Sequence, residues 1–463
     1  MGYERVVVAG GGVGGLGAAL ALARRGREVL LVERDPLRDA SSADDAFDWE
    51  RPGAPQTHQT HGFLARIVML LREQFPDLLD SLHRAGCSTV SGTSTLGEAR
   101  PGDEDLSILL VRRTTFEWIL RRAVDAEPGV EVRSGSGVTG LIAATGRAAD
   151  VPVVGGVVLE DGTEVRADAV VAATGRRGNV GAWLGPLGVT VPETVRESGL
   201  VYLTRWYRVA DAFATPPGPK LGGDLGFLKY LIVPGDGAML SATLAVRNDD
   251  RELRRVLSDP DCFERACHSL PGPDQWFGEL ELEPVGGVRP MGGLMNRIRR
   301  FTDPAHQATV HNFHAVGDAH TCTNPLYGRG CSLALLQAVL LADAVVDHDG
   351  PAKIAAAYEA ACHDEVAPWF HHAVEIDKAG ADPASSEAPG ENRFGAVLAA
   401  GQTDPVIGRA MARLWNLLTK PAELTRDPEF MARAAAIMAD PDTYPTPVPT
   451  GPSRQTLLDT LAA

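Results

Sequence analysis

Thirty residues near the start of the chain, RVVVAGGGVGGLGAALALARRGREVLLVER, change character three times in a fixed order. Arg5–Ala9 is a short apolar run rich in valine, which predicts a buried strand. Gly10–Gly15 forms a tight turn, Leu16–Arg25 reads as a helix, and Glu28–Glu33 reads as a second strand. Strand, turn, helix and strand in so few residues make a βαβ unit, which commits the chain to an α/β fold with helices on a parallel sheet. Gly10, Gly12 and Gly15 have the spacing G-x-G-x-x-G, with Val13 and Gly14 between them. Gly10 permits the turn, Gly12 lets the backbone meet a pyrophosphate, and Gly15 lets helix and strand pack closely. Glu33 ends the second strand, followed by Arg34, and its carboxylate suits ribose hydroxyls while repelling a 2′-phosphate. The implied ligand is a dinucleotide with an unphosphorylated adenosine ribose, FAD or NAD.

The chain has 463 residues, enough for about three domain-sized units. A formal net charge of -16 without clustered Lys and Arg argues against a nucleic-acid partner. The six cysteines include no CxxC pair, so reduced thiols and a cytoplasmic location are expected. No targeting segment is expected, because a strand pattern starts just after Glu4. No membrane span is expected either, since the apolar runs near 16–23 and 333–346 are short or interrupted by Gln337 and Asp343. His58 and His61 lack a carboxylate or Cys partner nearby in sequence, so no metal site is expected.

Residues 42–63 have no periodicity and read as a long loop; helices are expected over 64–85 and 114–126. Asp161-Gly162 marks a hairpin. The segment 199–288 turns strand-rich, α/β character returns at 310–349, and the remainder is helical. That helical remainder is broken by a disordered-looking stretch at 378–393 and ends in a Pro-rich stretch at 440–452.

A second glycine-rich stretch, VGDAHTCTNPLYGRGCSLAL (316–335), sets turn-formers ahead of an apolar helix. The N-terminus of such a helix offers unpaired N–H groups and a positive dipole end to an anion or an electron-rich ring. A nicotinamide enzyme has no need of a second anchor so far from the first, whereas a flavin ring extends well beyond the pyrophosphate. Together the two stretches resemble the FAD-dependent monooxygenase superfamily of the aromatic-hydroxylase type, over roughly residues 1–350. RPGAPQTHQTHGF and ESGLVYLTR resemble a branch with bacterial natural-product epoxidases and hydroxylases.

The resemblance implies an α/β fold in which a Rossmann-like FAD-binding domain is interleaved with a mainly β substrate-binding sheet domain, plus C-terminal helices. The implied division is 1–195 for the first part of the FAD-binding domain, with an excursion to the substrate sheet near 86–111. Residues 196–290 would form the sheet domain, 291–350 the return segment, and 351–463 a C-terminal helical region. Asp318, after Gly317, would accept a hydrogen bond from a ribityl hydroxyl. Pro325, Gly328 and Gly330 would shape a loop against the ring, with Arg329 and Cys331 in the same segment. Arg113 would approach the phosphates, with Arg112 as the alternative register; Gln56 and His61 would lie over them, and Val138 would contact adenine. Gly175 matches the middle motif of the superfamily, but Ala173 and Thr174 precede it where the family carries an aspartate.

The implied activity is hydroxylation or epoxidation of a mostly apolar small molecule by molecular oxygen, through a flavin C4a-hydroperoxide. Electrons would come from NAD(P)H or from a partner flavin reductase. Pocket candidates are Tyr202, Phe227, Tyr230, Met291, Asn296 and Arg297. The alternative is an FAD-dependent reductase of prenyl-type double bonds. A flavin-dependent halogenase is disfavoured, because no lysine precedes Lys220 and its tryptophan motif is missing. Lysines number five against 39 arginines among 44 basic residues, which suggests GC-rich bacterial coding and a place in secondary metabolism.

Overall fold

A computed structural model describes residues 2–93, 96–144, 151–211, 221–381, 393–444 and 451–462. Lys220, residues 382–392 of the disordered-looking stretch and residues 445–450 of the Pro-rich end lie outside the described residues. Five strands form a parallel sheet in the order Phe313–Ala315, Ala169–Ala172, Arg5–Ala9, Glu28–Glu33, Val130–Ser134. Its central strands are apolar almost throughout because both faces are covered. The sheet is Rossmann-like, and its first crossover is the helix Val13–Ala23.

That helix packs against a second, Gly330–Asp347, through small residues. A Cβ on Gly17 would lie 2.9 Å from Leu335 Cδ1, and one on Gly14 would touch Ala334 and Val316 at 3.6 Å. Gly330–Asp347 runs unbroken through Gln337 and Asp343, and by length and composition alone it is long and apolar enough to cross a membrane. Here 72% of it is buried as the central helix of this fold. Gln337 is fully buried, and its Oε1 accepts the Gly317 N–H at 2.7 Å, tying the helix to the turn before it. Asp343 instead pairs with Arg25.

The segment expected to be strand-rich builds an antiparallel sheet in the order Gly222–Asp224, Leu228–Pro234, Met239–Arg247, Leu200–Val209, Leu282–Met291. Helices Arg251–Leu257 and Pro260–Ser269 back it, joined by the last helix, Arg454–Ala462, through Leu457, Leu458 and Leu461. The region expected as one C-terminal helical unit therefore has two destinations. Helices Arg393–Ala400, Pro405–Trp415 and Pro428–Ala439 share a separate core. The final helix returns to the sheet, where Arg454 pairs with Asp250 and Glu252. A three-stranded sheet of Glu193–Glu197, Met295–Arg299 and Thr321–Cys322 bridges the two larger layers.

Two local expectations change. The helix expected over 64–85 is two helices, Ala65–Gln74 and Pro76–Arg84, because a residue before proline is pushed out of helical geometry; Phe75 has φ -142°. The 42–63 loop holds a short helix, Ala43–Phe47, whose N-cap Ser42 accepts from the Asp45 N–H, and a 3-10 turn at Pro55–His58.

Candidate active site

The C-terminal ends of the parallel strands open onto a cavity of about 390 Å³, the usual ligand position in such sheets. One wall is the first glycine turn, with Gly10, Gly12, Val13 and Gly14, together with Glu33 and Arg34. A second is Gln56, Gln59, Thr60, His61 and Arg113, and a third is the Gly317, Asp318, Pro325, Gly328, Gly330 and Cys331 stretch. Val138 and Gly175 line it as well. Segments more than 300 residues apart in sequence are thus brought together around one space.

Backbone geometry in this space suits a dinucleotide. A Cβ on Gly12 would meet nothing within 4 Å, so this turn leaves open volume where a pyrophosphate needs it. Gly10 has φ +114°, and a Cβ there would come within 2.4 Å of Ala173 O. Gly15 stands behind the wall rather than on it, where a Cβ would come within 1.8 Å of Gly10 O. The helix starting at Gly330 has no side-chain cap, so its first N–H groups are left for a ligand. Thr174 and Thr323 both line the cavity, and their buried hydroxyls have no partner among the described residues. These residues fit FAD, with open volume at the glycine turn and unpaired donors on the walls.

A continuous chain of charge runs behind the second wall. Glu33 accepts the Gly11 N–H at 2.6 Å and the Asp35 N–H at 2.8 Å, and Arg51 Nη2 donates to it at 3.0 Å. Arg51 Nη1 donates to Glu117 at 2.6 Å. Arg113 reaches the other oxygen of Glu117 through Nε at 2.8 Å, and its Nη1 donates to His61 Nε2 at 3.0 Å. His61 Nδ1–H in turn donates to Gln59 O at 2.9 Å, which fixes the neutral tautomer. Burial first, then the Arg113 charge, pushes the His61 pKa down to about 3. Burial opposes ionisation of Glu117, yet Arg113 and Arg51 outweigh it and hold the carboxyl below its ordinary value. Burial raises the Asp318 carboxyl against the pull of Arg113, Arg176 and Arg297. Burial also pushes the Cys331 thiol up to about 11, so this cavity-wall cysteine stays protonated.

Arg112 and Arg113 have separate fates. Arg113 lines the cavity, whereas Arg112 is 2% exposed and donates to Asp44 and to Asp236, in the turn between strands Leu228–Pro234 and Met239–Arg247. His58 points away from the cavity, to Phe47 O at 2.6 Å. Arg329 does not line the cavity either. It is stacked between Tyr327 and Trp369 and donates to Trp369 O and to His372 Nδ1.

Of the pocket candidates, Met291 lines the main cavity. Tyr202 and Tyr230 line a small recess beside it, which shares Thr60 and Pro325 with the main cavity and has Leu231, Ala245 and Leu326 as apolar walls. Phe227 packs on the core behind the five-stranded antiparallel sheet. Asn296 is fully buried and bonded to Asp377 and Asn324, and Arg297 donates to the carbonyls of Arg176 and Asp318. Neither faces the cavity. No lysine lines the cavity among the described residues, and no group of His, Cys, Asp and Glu there could hold a metal ion.

The family described as FAD dependent oxidoreductase matches residues 5–97. The kynurenine 3-monooxygenase of Salinispora arenicola (strain CNS-205) is 28% identical over 380 residues, which is 77% of this chain and 76% of that protein. This chain is an FAD-dependent oxidoreductase, similar over most of its length to a flavin monooxygenase. Solved structures share the fold of this flavoenzyme. The p-nitrophenol 4-monooxygenase PnpA of Pseudomonas putida DLL-E4 superposes with a TM-score of 0.60 at 19% identity, covering 90% of this chain and 98% of that one. The probable FAD-dependent monooxygenase pqsL of Pseudomonas aeruginosa gives 0.57 at 18% identity, covering 83% and 97%.

Sequence reasoning passed over several wall residues of this flavoenzyme, including Gln59, Thr60, Arg176 and Thr323. Arg51 also escaped it, sitting in a loop without periodicity. Glu117 carried a usable signal, since it lies four residues after Arg113 on one helix, the spacing of a facing ion pair.

Proposed function

We propose that this flavoenzyme inserts one oxygen atom from O2 into a mostly apolar small molecule, by hydroxylation or epoxidation. FAD, when bound, supplies the oxygen activation and the redox chemistry. The protein's own residues orient the reactants and exclude water. The observation that carries this reading is the lining where the Pro325 loop meets the substrate sheet, around a recess of only about 10 Å³ beside the 390 Å³ cavity. The walls of the recess are apolar apart from the hydroxyls of Thr60, Tyr202, Tyr230 and Thr243 and the backbone, and the recess adjoins the flavin-loop end of the cavity. No acid–base pair or charged nucleophile lines it among the described residues. Such a site suits chemistry carried by a cofactor.

Gln59 sits where cavity and sheet meet. Its amide donates to Arg289 O at 3.2 Å and accepts from Thr204 at 2.7 Å, holding the loop over the sheet. Thr60 and Thr204 both bond Thr243, at 2.7 and 2.6 Å. The electron donor in this reading is NAD(P)H or a partner flavin reductase. The test is to reduce the FAD-loaded enzyme anaerobically, mix it rapidly with oxygenated buffer and follow the visible spectrum across an apolar substrate panel. A transient distinct from oxidised and reduced flavin, decaying with formation of an oxygenated product, is expected. Direct return to oxidised flavin with only peroxide released across the panel would overturn the reading in favour of a reductase.

A further inference from the structure

The loop that lines the flavin end of the cavity is held from behind by a helix on which sequence reasoning found no motif, Ala367–Ala381. Three donors converge on one carboxylate of that helix. Asn296 Nδ2 donates to Asp377 Oδ2 at 2.6 Å, Asn324 Nδ2 donates to Oδ1 at 2.9 Å, and the Tyr327 hydroxyl donates to Oδ1 at 2.5 Å. Asn296 and Asn324 are fully buried, and Tyr327 is 3% exposed.

The polarity of each amide is dictated elsewhere. Asn296 Oδ1 accepts the backbone N–H of Asn324 at 2.7 Å, so only its NH2 remains for Asp377. Asn324 Oδ1 accepts the Leu326 N–H at 3.1 Å and the Tyr202 hydroxyl at 2.7 Å, so its NH2 also faces Asp377. A group that receives three donors and gives none must be an acceptor on both sides, which a carboxylate is and an amide is not. The same helix grips Arg329 through Trp369 O and His372. Pro325 and Gly328, on the cavity wall, lie between these anchored residues.

We infer that Asp377 is a positioning residue, which fixes the Asn324–Gly330 loop against the flavin and, through Asn324, registers that loop on Tyr202 of the substrate sheet. It acts on the cofactor through the loop and does not line the cavity itself. The inference rests on FAD occupying the cavity.

The test compares wild type, Asp377→Asn, the double variant Asp377→Asn/Asn296→Asp, and Lys378→Ala as an exposed neighbour paired with Glu375. FAD affinity is measured by titrating the deflavinated protein, with the visible spectrum of bound flavin and the melting temperature recorded for each. In Asp377→Asn one donor faces a new NH2, so FAD binding weakens by about tenfold or more and the flavin band shifts, with far-UV circular dichroism retained. The double variant returns the acceptor to position 296, where it takes the Asn324 N–H and the new NH2 of residue 377. It restores affinity and spectrum to within about threefold of wild type, and Lys378→Ala changes neither. Wild-type affinity and spectrum in Asp377→Asn would overturn the inference. So would a loss that the double variant leaves unrepaired while its circular dichroism matches wild type. A wild-type protein that binds no FAD would instead sink the assignment of the cavity.

Discussion

Arg51→Met removes the middle member of the buried charge chain while keeping most of the side-chain volume. Arg51 is 6% exposed and is the only described cation within salt-bridge distance of Glu33. It also makes the 2.6 Å bond to Glu117. Without it, Glu33 has no described cation within salt-bridge distance and Glu117 keeps only Arg113. Removing one partner from a buried ion pair costs about 3–5 kcal/mol, because the remaining charge stays desolvated. Water in the adjoining cavity softens that penalty, so a loss of about 3 kcal/mol is expected at pH 7.5. The deficit has a sign in pH. An uncompensated buried carboxylate titrates higher in the folded state than in the unfolded chain, so protonation favours folding as pH falls toward 5. Urea unfolding of the FAD-free protein, followed by tryptophan fluorescence at pH 7.5 and pH 5, reads both quantities. The gap between variant and wild type should shrink at the lower pH by at least about 1 kcal/mol. FAD binding also weakens, since Glu33 loses the partner that orients it. A deficit below about 1 kcal/mol that is the same at both pH values would refute the view of this chain as a mutually dependent charge array.

The glycine turn gives a split expectation. Gly12→Ala places its Cβ in open cavity, so the FAD-free protein melts as wild type while FAD affinity falls, whereas Gly15→Ala drives a Cβ into Gly10 O and lowers the melting temperature itself. The split is read by melting each variant with and without FAD; equal behaviour of the two would contradict the geometry. His61 gives a pH slope. Its folded pKa of about 3 lies below the ordinary value of 6.5, so the unfolded chain binds the proton first. The His61 contribution is complete above about pH 6.5 and is lost as pH falls toward 3, with roughly 1 kcal/mol gone by pH 5.5. His61→Gln should flatten that part of the stability profile in urea titrations at pH 7.5 and 5.5, and an unchanged slope would show that His61 is not held neutral.

Local signals carried most of what the sequence made legible. The first βαβ unit was readable to within two or three residues, because its strand, turn and helix patterns all lie inside thirty contiguous positions. The break at Phe75 was missed although Pro76 was in view, because the apolar periodicity continues across it. The choice between Arg112 and Arg113 was not decidable from adjacent identical residues. It depends on which way the first turn of a helix faces, and Asp236, more than a hundred residues away, claims Arg112. Asp377 was invisible for the same reason: its partners lie 50 to 81 residues upstream, and a lone aspartate on that helix has no pattern. The 42–63 loop lacked periodicity because side-chain bonds rather than a repeating apolar face hold it, such as His58 to Phe47 O and Gln59 to Thr204.

These long-range bonds share a direction. The carboxylates that meet the cavity's supporting elements, Glu33, Glu117 and Asp377, are each filled by donors from the protein itself. On the cavity wall the unpaired groups are instead hydroxyls, Thr174 and Thr323, and the uncapped helix start at Gly330. These three carboxylates are spent on internal order, while the wall hydroxyls and the helix start are left for the ligand. That division suits a ligand rich in acceptor oxygens, as FAD is along its pyrophosphate and at its ring carbonyls. It also places the cost of an empty site on donors that water can satisfy, so the walls can hold their shape before the cofactor arrives.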